Sequence, residues 1–320
     1  MASRATPALA PASPVRVAIA LLTLYVVWGS TYLAIRILVE SIPPLTGSAV
    51  RFLIAGSLLY AATIRRGDAA GDRPGRREWR DAAIIGGLLL AGGNGLLAVG
   101  EQTVPSGIAA LIVATLPLWV AILGRAFFGV VLTRTIVAGT VIGFAGVAVL
   151  VWPSGGSVGL DPFGVAMVLL SPVFWATGSL FSRTARHPKR PLVGTAMQML
   201  AGSAILFVLA TVTGDLFRVR AGEITTASLA AVAYLVLVGS LVGYTAYVWL
   251  LRVAPISTVA TYAYVNPVIA VLLGWLVLAE PLDPRTVLAG AIIVVAVAVI
   301  VRARRGESQV TVPEEVGEPG

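Results

Sequence analysis

Apolar runs alternate with short polar breaks along the whole 320-residue chain. Ten apolar stretches stand out, near 17–38, 46–64, 82–100, 104–125, 135–152, 163–182, 192–212, 227–251, 255–278 and 286–302. Each is close to the ~20 residues that carry an α-helix across ~30 Å of hydrocarbon. Barrel strands would instead alternate over ~10 residues, and no such alternation is present. The pattern predicts an all-α polytopic membrane protein with ten transmembrane helices. The first stretch is too long for a signal-peptide core and no small-residue cleavage site follows it, so it is expected to remain as a span.

The chain also repeats itself. Trp28–Arg36 (WGSTYLAIR) corresponds to Trp175–Arg183 (WATGSLFSR), and Pro44, Leu45 and Gly47 to Pro191, Leu192 and Gly194. Further on, Pro105, Pro117 and Gly124 correspond to Pro255, Pro267 and Gly274, and Arg134, Thr135 and Gly139 to Arg285, Thr286 and Gly290. Order and spacing are kept, so the chain is a duplicated unit with five spans in each copy. Five is odd, so the second copy enters the bilayer from the opposite side. The expectation is two inverted five-helix repeats, 16–152 and 163–302, flanked by disordered cytoplasmic tails over 1–15 and 303–320.

Composition agrees with the pattern: 58% of residues are hydrophobic, 12% are charged, and mean hydropathy is +0.92. A net charge of +8 raises the question of nucleic acid, but the basic residues follow topology. Of 23 lysines and arginines, 18 fall in connections on the side of the termini, Arg36, Arg218, Arg220 and Arg285 on the other, and Arg51 within a span. By the positive-inside rule both termini are cytoplasmic in an inner or plasma membrane. No basic patch interleaved with aromatics appears, so nucleic acid is excluded as a partner.

Three segments carry a family resemblance: WGSTYLAIR, PPLTGSAVRFLIAG and APISTVATYAYVNPVIAVLLGWLVLAEPLD. The chain resembles the EamA family of the drug/metabolite transporter superfamily over 17–152 and 163–302. The resemblance implies ten helices, inverted repeats and export of amino acids or related metabolites. Glu280 ends span 9 in the family manner, whereas the matching position in the first half is Val130.

Polar residues inside spans are costly in lipid and usually face a cavity or a partner. Arg51 lies ~10 Å into span 2 and Asn94 ~18 Å into span 3. Arg51, whose repeat partner is Gln198, offers a cation to a substrate carboxylate or to Glu101, or else snorkels towards Glu40. Thr258, Tyr262 and Asn266 share a face of span 9, and Ser240, Tyr244 and Tyr247 share one on span 8; each stripe serves cavity lining or helix packing. Trp119 and Trp175 add aromatic surface. Candidate substrate-binding residues are therefore Arg51, Asn94, Trp119, Trp175, Gln198, Tyr244, Tyr247, Tyr262 and Asn266. Pro117 and Pro267 sit at equivalent places in spans 4 and 9 and predict interrupted helices, hence hinges. Glu101 is the candidate gate residue. GxxxG spacings at Gly139/Gly143 and Gly239/Gly243 predict close helix crossings, within the chain or, on span 5, between two copies in a homodimer.

The chain has no cysteine and one histidine, and it shows no metal-ligand cluster, paired intramembrane carboxylates or serine elbow, so no metal, cofactor or enzymatic role is expected. The expected function is secondary transport of a small-molecule substrate by alternating access. A channel or facilitator, which would show a ring of like charges or a filter motif, and an intramembrane enzyme are the competing classes.

Overall fold

A computed structural model describes residues 13–64, 73–152 and 160–310. Apolar side chains make long helices here because hydrocarbon offers no partner for a backbone N–H or C=O, so each segment satisfies its own. Among the described residues, nine helices are long and apolar enough to cross a membrane: α1 (Pro14–Leu38), α2 (Pro44–Thr63), α3 (Arg76–Gly100), α4 (Ser106–Phe128), α5 (Arg134–Val151), α6 (Pro162–Ser182), α7 (Pro191–Val212), α8 (Thr226–Val253) and α10 (Pro284–Ala303). The tenth, α9, comprises a short turn, Ile256–Val259, and the apolar helix Tyr262–Leu278. The fold is all-α, with five helices per repeat.

Helix pairing shows an internal two-fold. Three helices pack on their own counterparts: α2 on α7, α4 on α9 and α5 on α10. The remaining contacts come in matched pairs. As α1 packs on α8 and α9, α6 packs on α3 and α4; as α2 packs on α8, α7 packs on α3. Only a two-fold relation between the copies produces that set. Outward faces carry apolar chains suited to lipid, such as Val141 and Ile142 on α5 and Val295 and Val299 on α10.

Glycines set the closest crossings. A Cβ on Gly86 would overlap the Gln198 carbonyl of α7, and one on Gly202 would come within 2.9 Å of the Gly86 carbonyl. Gly139 and Gly143 of α5 lie against Ile300, Ala296 and Leu118 of the same chain, so this spacing serves internal packing. Gly239 and Gly243 admit Thr31 and Trp28 of α1.

Helix ends repeat as well. Gly129 ends α4 at φ 64° and Ala279 ends α9 at φ 51°, and the following N–H groups of Val130 and Glu280 reach back to the carbonyls of Gly124 and Gly274. The left-handed conformation is free for glycine and costs about 1 kcal/mol or more at Ala279. At the bundle end opposite the termini, two helix N-termini are capped by acids from the other repeat. Asp215 accepts from the N–H and hydroxyl of Thr46 on α2 (2.9 and 3.0 Å). Glu280 accepts from the N–H groups of Ser106 and Gly107 on α4 (2.7 and 3.0 Å). Asp161 and Asp283 cap α6 and α10. The Gly164 N–H above all, with the Thr103 hydroxyl, holds the Asp161 carboxyl below its ordinary range, and the Thr286 N–H does the same for Asp283. The stability these two lend is present above the ordinary carboxylate pKa and lost as pH falls through the lowered values.

The α3–α7 crossing yields a test. Gly86→Leu should cost about 1–3 kcal/mol by overpacking and lower the melting temperature in detergent. Gly222→Ala, at a site with open space around it, should leave the melting curve in place.

Candidate functional site

Among the described residues the membrane-spanning helices depart from regular α geometry at four places. Gly87–Gly95 of α3 and Leu235–Val242 of α8 are π-helical, at matching positions in the two repeats. Helix α4 breaks at Ala114–Thr115, between Ser106–Val113 and Leu116–Phe128, and α9 breaks at Ala260–Thr261. Local side chains donate to backbone carbonyls at three of them, on α3, α4 and α9. Asn94 Nδ2 donates to the Leu89 carbonyl five residues back (3.3 Å), as a widened helix allows. The Thr115 hydroxyl donates to the Ile112 carbonyl and the Thr261 hydroxyl to that of Thr258, each at 2.6 Å.

Both spans are interrupted, and the two prolines stand differently towards the breaks. Pro117 is the second residue of the helix that begins after the α4 break, where proline lacks nothing. Pro267 lies inside the continuous helix Tyr262–Leu278, and the α9 break comes six residues earlier. The interruptions are therefore not at equivalent positions. The structure gives matched departures to α3 and α8 instead, where no proline marks them.

A central cavity of about 90 Å³ lies among the helices that carry these segments. Its wall includes Trp28, Thr31 and Tyr32 of α1, Arg51 of α2, Gly93 and Asn94 of α3, Val113 and Leu116 flanking the α4 break, Ser171 and Trp175 of α6, Tyr244 of α8, and Tyr262 and Asn266 of α9. Of the residues singled out in the sequence, Arg51, Asn94, Trp175, Tyr244, Tyr262 and Asn266 come together here. Tyr247 does not line the wall; it stacks behind it, 5.1 Å from the Trp28 ring. Trp119 packs edge-on against Phe144 (5.1 Å) away from the cavity, and its buried Nε1 has no partner. Gln198 is half-buried on α7, a helix that contributes nothing to the wall. Trp28, Tyr32 and Ser171 were not on the candidate list. The match of Trp28 with Trp175 between the repeats was the signal for the first.

Arg51 is the cavity's cation. It is 5% exposed, its Nε donates to Ser240 Oγ (3.2 Å), and its guanidinium lies 4.7 Å from the Phe52 ring centre. It pairs with neither Glu40 nor Glu101, and no carboxylate among the described residues lies within ion-pair distance. Around it, Trp28 meets Tyr244 (5.5 Å) and Tyr262 (5.2 Å) edge to face. Asn266 lies 3.2 and 3.3 Å from the Tyr262 and Tyr25 carbonyls, and its NH₂ group, turned to them, donates to both. The cavity thus offers one cation, two amides and aromatic walls. Glu101 is elsewhere: it is fully buried at the bundle end opposite the termini. Among the described residues no group of three or more histidine, cysteine or acidic residues could hold a metal ion.

A ten-helix membrane protein with an internal two-fold, interrupted and widened helices in both repeats and a central aromatic cavity holding a buried cation has the architecture of a transporter. The chain belongs to the EamA-like transporter family, whose model matches residues 15–152 and 162–302. It is 41% identical over 282 residues to the Escherichia coli protein described as "Uncharacterized inner membrane transporter YedA", covering 88% of this chain and 89% of that one. A Salmonella typhimurium protein described as a "Probable amino-acid metabolite efflux pump" is 26% identical over 294 residues, covering 86% and 91%. A solved crystal structure matches with a TM-score of 0.62 at 23% identity, covering 92% of this chain and 100% of that one, a likeness of fold alone.

The α4 break yields its own test. Thr115→Val removes one of the two donors that the Thr115 residue offers to the buried Ile112 carbonyl. The carbonyl keeps the Thr115 N–H, so the change should lower stability by about 0.5–1.5 kcal/mol, the net worth of one hydrogen bond. Thr177→Val, in regular exposed helix on α6, should change the melting temperature little.

Proposed function

We propose that this transporter is a carrier for small amphipathic solutes bearing a carboxylate, amino acids or their relatives among them, and that it works by alternating access between the repeats. The observation that carries the reading is Arg51, a buried guanidinium facing an aromatic cavity with no carboxylate among the described residues in ion-pair distance. A buried cation is stable only if something compensates it, and a carboxylate meets that need with charge-assisted hydrogen bonds. Trp28, Tyr244, Tyr262 and Trp175 suit an apolar or aromatic body, and Asn94 and Asn266 suit an amine or amide.

The cavity volume supports a carrier. The cavity holds about 90 Å³, whereas small-molecule sites usually enclose about 300 Å³ or more. Binding a solute therefore requires the helices to part. Two similar repeats of opposite orientation supply two openings of similar energy. The arginine distribution supports an inner-membrane orientation with both termini in the cytoplasm, and the Salmonella relative's name supports export as the direction.

Proteoliposome counterflow with amino acids and other metabolites, run with and without a pH gradient, tests the reading. Arg51→Gln should reduce flux of carboxylate-bearing solutes about tenfold or more, the loss of ~1.5 kcal/mol or more from a charged hydrogen bond, while solutes lacking a carboxylate keep theirs. Equal flux of the two classes would remove Arg51 from the site. Tyr262→Ala and Asn266→Ala should weaken transport while the protein still reaches the membrane. Conductance far above about a thousand ions per second would exclude a carrier, since enzyme-like turnover is typically 1–10³ s⁻¹.

Orientation has a separate test, because a chain without cysteine gives clean single labels. An impermeant maleimide should label Gly222→Cys on intact cells and Thr184→Cys only after permeabilisation.

A further inference from the structure

The bundle end opposite the termini holds a carboxyl group that the central cavity does not use. Glu101 follows the last turn of α3 and is 0% exposed, and neither of its carboxyl oxygens has a hydrogen-bond partner. Ser106, also 0% exposed, has an unpartnered hydroxyl at the start of α4. The charged groups whose fields reach Glu101 are Glu280 and Arg36, and the Tyr32 hydroxyl is also coupled to it. Each is otherwise engaged or is no counterion. Arg36 of α1 directs a guanidinium N–H to the Glu101 backbone carbonyl, and the Glu280 carboxylate takes the α4 N–H groups of Ser106 and Gly107. On its remaining side α6 presents Gly164 and Val168, against which Gly100 packs, while Asp161 accepts from Thr103 and its own helix.

Charge counting then decides the state of the group. With Arg36 positive and Glu280 negative, an ionised Glu101 would leave one uncompensated negative charge, fully buried and without a single donor. Such a group takes up a proton, because an isolated buried carboxylate costs far more than its neutral form. The cytoplasm-assigned end has no equivalent: by the repeat offset of 150, Leu251 stands opposite Glu101, Ile256 opposite Ser106 and Val130 opposite Glu280.

We propose that Glu101 is a proton-binding site that latches this end of the bundle: the end closes over the neutral acid, and opening hydrates Glu101 and releases its proton to the solution on that side. The closed form therefore gains weight as pH falls on that side, and the open form as it rises. This rests on the alternating-access reading only in assuming that this end opens. No solute takes part in the latch, so it can be measured without transport.

The experiment uses the full chain in proteoliposomes, with one cysteine at Val104, which is 0% exposed beside Glu101. Labelling by an impermeant maleimide is divided by the labelling of an exposed Gly222→Cys variant at the same pH, which removes the reagent's own pH dependence. The normalised rate should rise between pH 6 and pH 8.5 by up to about tenfold per unit while one proton is released. Glu101→Gln, neutral and of the same shape, should hold the rate at its low-pH value throughout, and Glu101→Asp should restore a pH dependence. A flat profile without the Glu101 change, or a pH dependence that survives Glu101→Gln, would overturn the proposal. So would a rate that follows sodium at constant pH. Counterflow without any solute flux would count against the carrier reading and leave the latch measurement intact.

Discussion

Hydrocarbon offers no hydrogen bonds, and that constraint organises this molecule. Every backbone group within the membrane must find its partner inside the protein, so a helix departs from α geometry only where something replaces the missing bond. The departure on α3 lines the central cavity with Gly93 and Asn94, the α4 break is flanked by Val113 and Leu116 of its wall, and those on α8 and α9 end just before Tyr244 and Tyr262 of the wall. Asn94, Thr115 and Thr261 each supply a side-chain donor to a carbonyl at or near an irregular turn. Of these three only Asn94 also lines the cavity, so there the side chain that serves the irregular backbone is one that a solute would meet.

The two-fold relation between the repeats explains both the symmetry and its failures. Packing residues are shared: α2 lies on α7, α5 on α10, and Gly129 and Ala279 end their helices in the same left-handed turn. Chemistry is not shared. Arg51 stands opposite Gln198, and one reaches the cavity while the other does not. Glu280 folds over Gly274 to cap α4, whereas Val130 at the equivalent place carries no charge. The shared packing keeps the two halves alike in fold, while the unlike residues give each end of the bundle its own chemistry.

The sequence pattern located the ten helices because hydrophobic length is dictated by the bilayer. The glycines at 139 and 143 were read correctly as a close crossing, and their partner on α10 came only with the structure. The two prolines stand differently towards the breaks: Pro117 opens the helix that follows the α4 break. Pro267 sits in a helix that tolerates it, and the α9 break falls at Thr261, where a hydroxyl and not an imino acid ends the turn. The π segments left no local mark, since Gly87–Gly95 and Leu235–Val242 differ in composition and share only their place in the repeat. Trp119 and Gln198 show the limit of depth as a guide: each lies within a span, but which side of a helix faces the axis depends on the neighbours it packs against.

By itself the sequence determined the medium, the number of spans, the duplication and, through an odd number of spans per copy, the inversion. These follow from hydrophobic length and parity, which are properties of segments. Only the tertiary structure decided that Arg51, Asn94, Trp175, Tyr244, Tyr262 and Asn266 meet around one cavity, that Tyr247 stands behind it, and that Glu101 lies buried without a donor at the far end. Those are relations between helices distant in sequence, fixed by the rotation of each helix against its partners, and no single segment contains them.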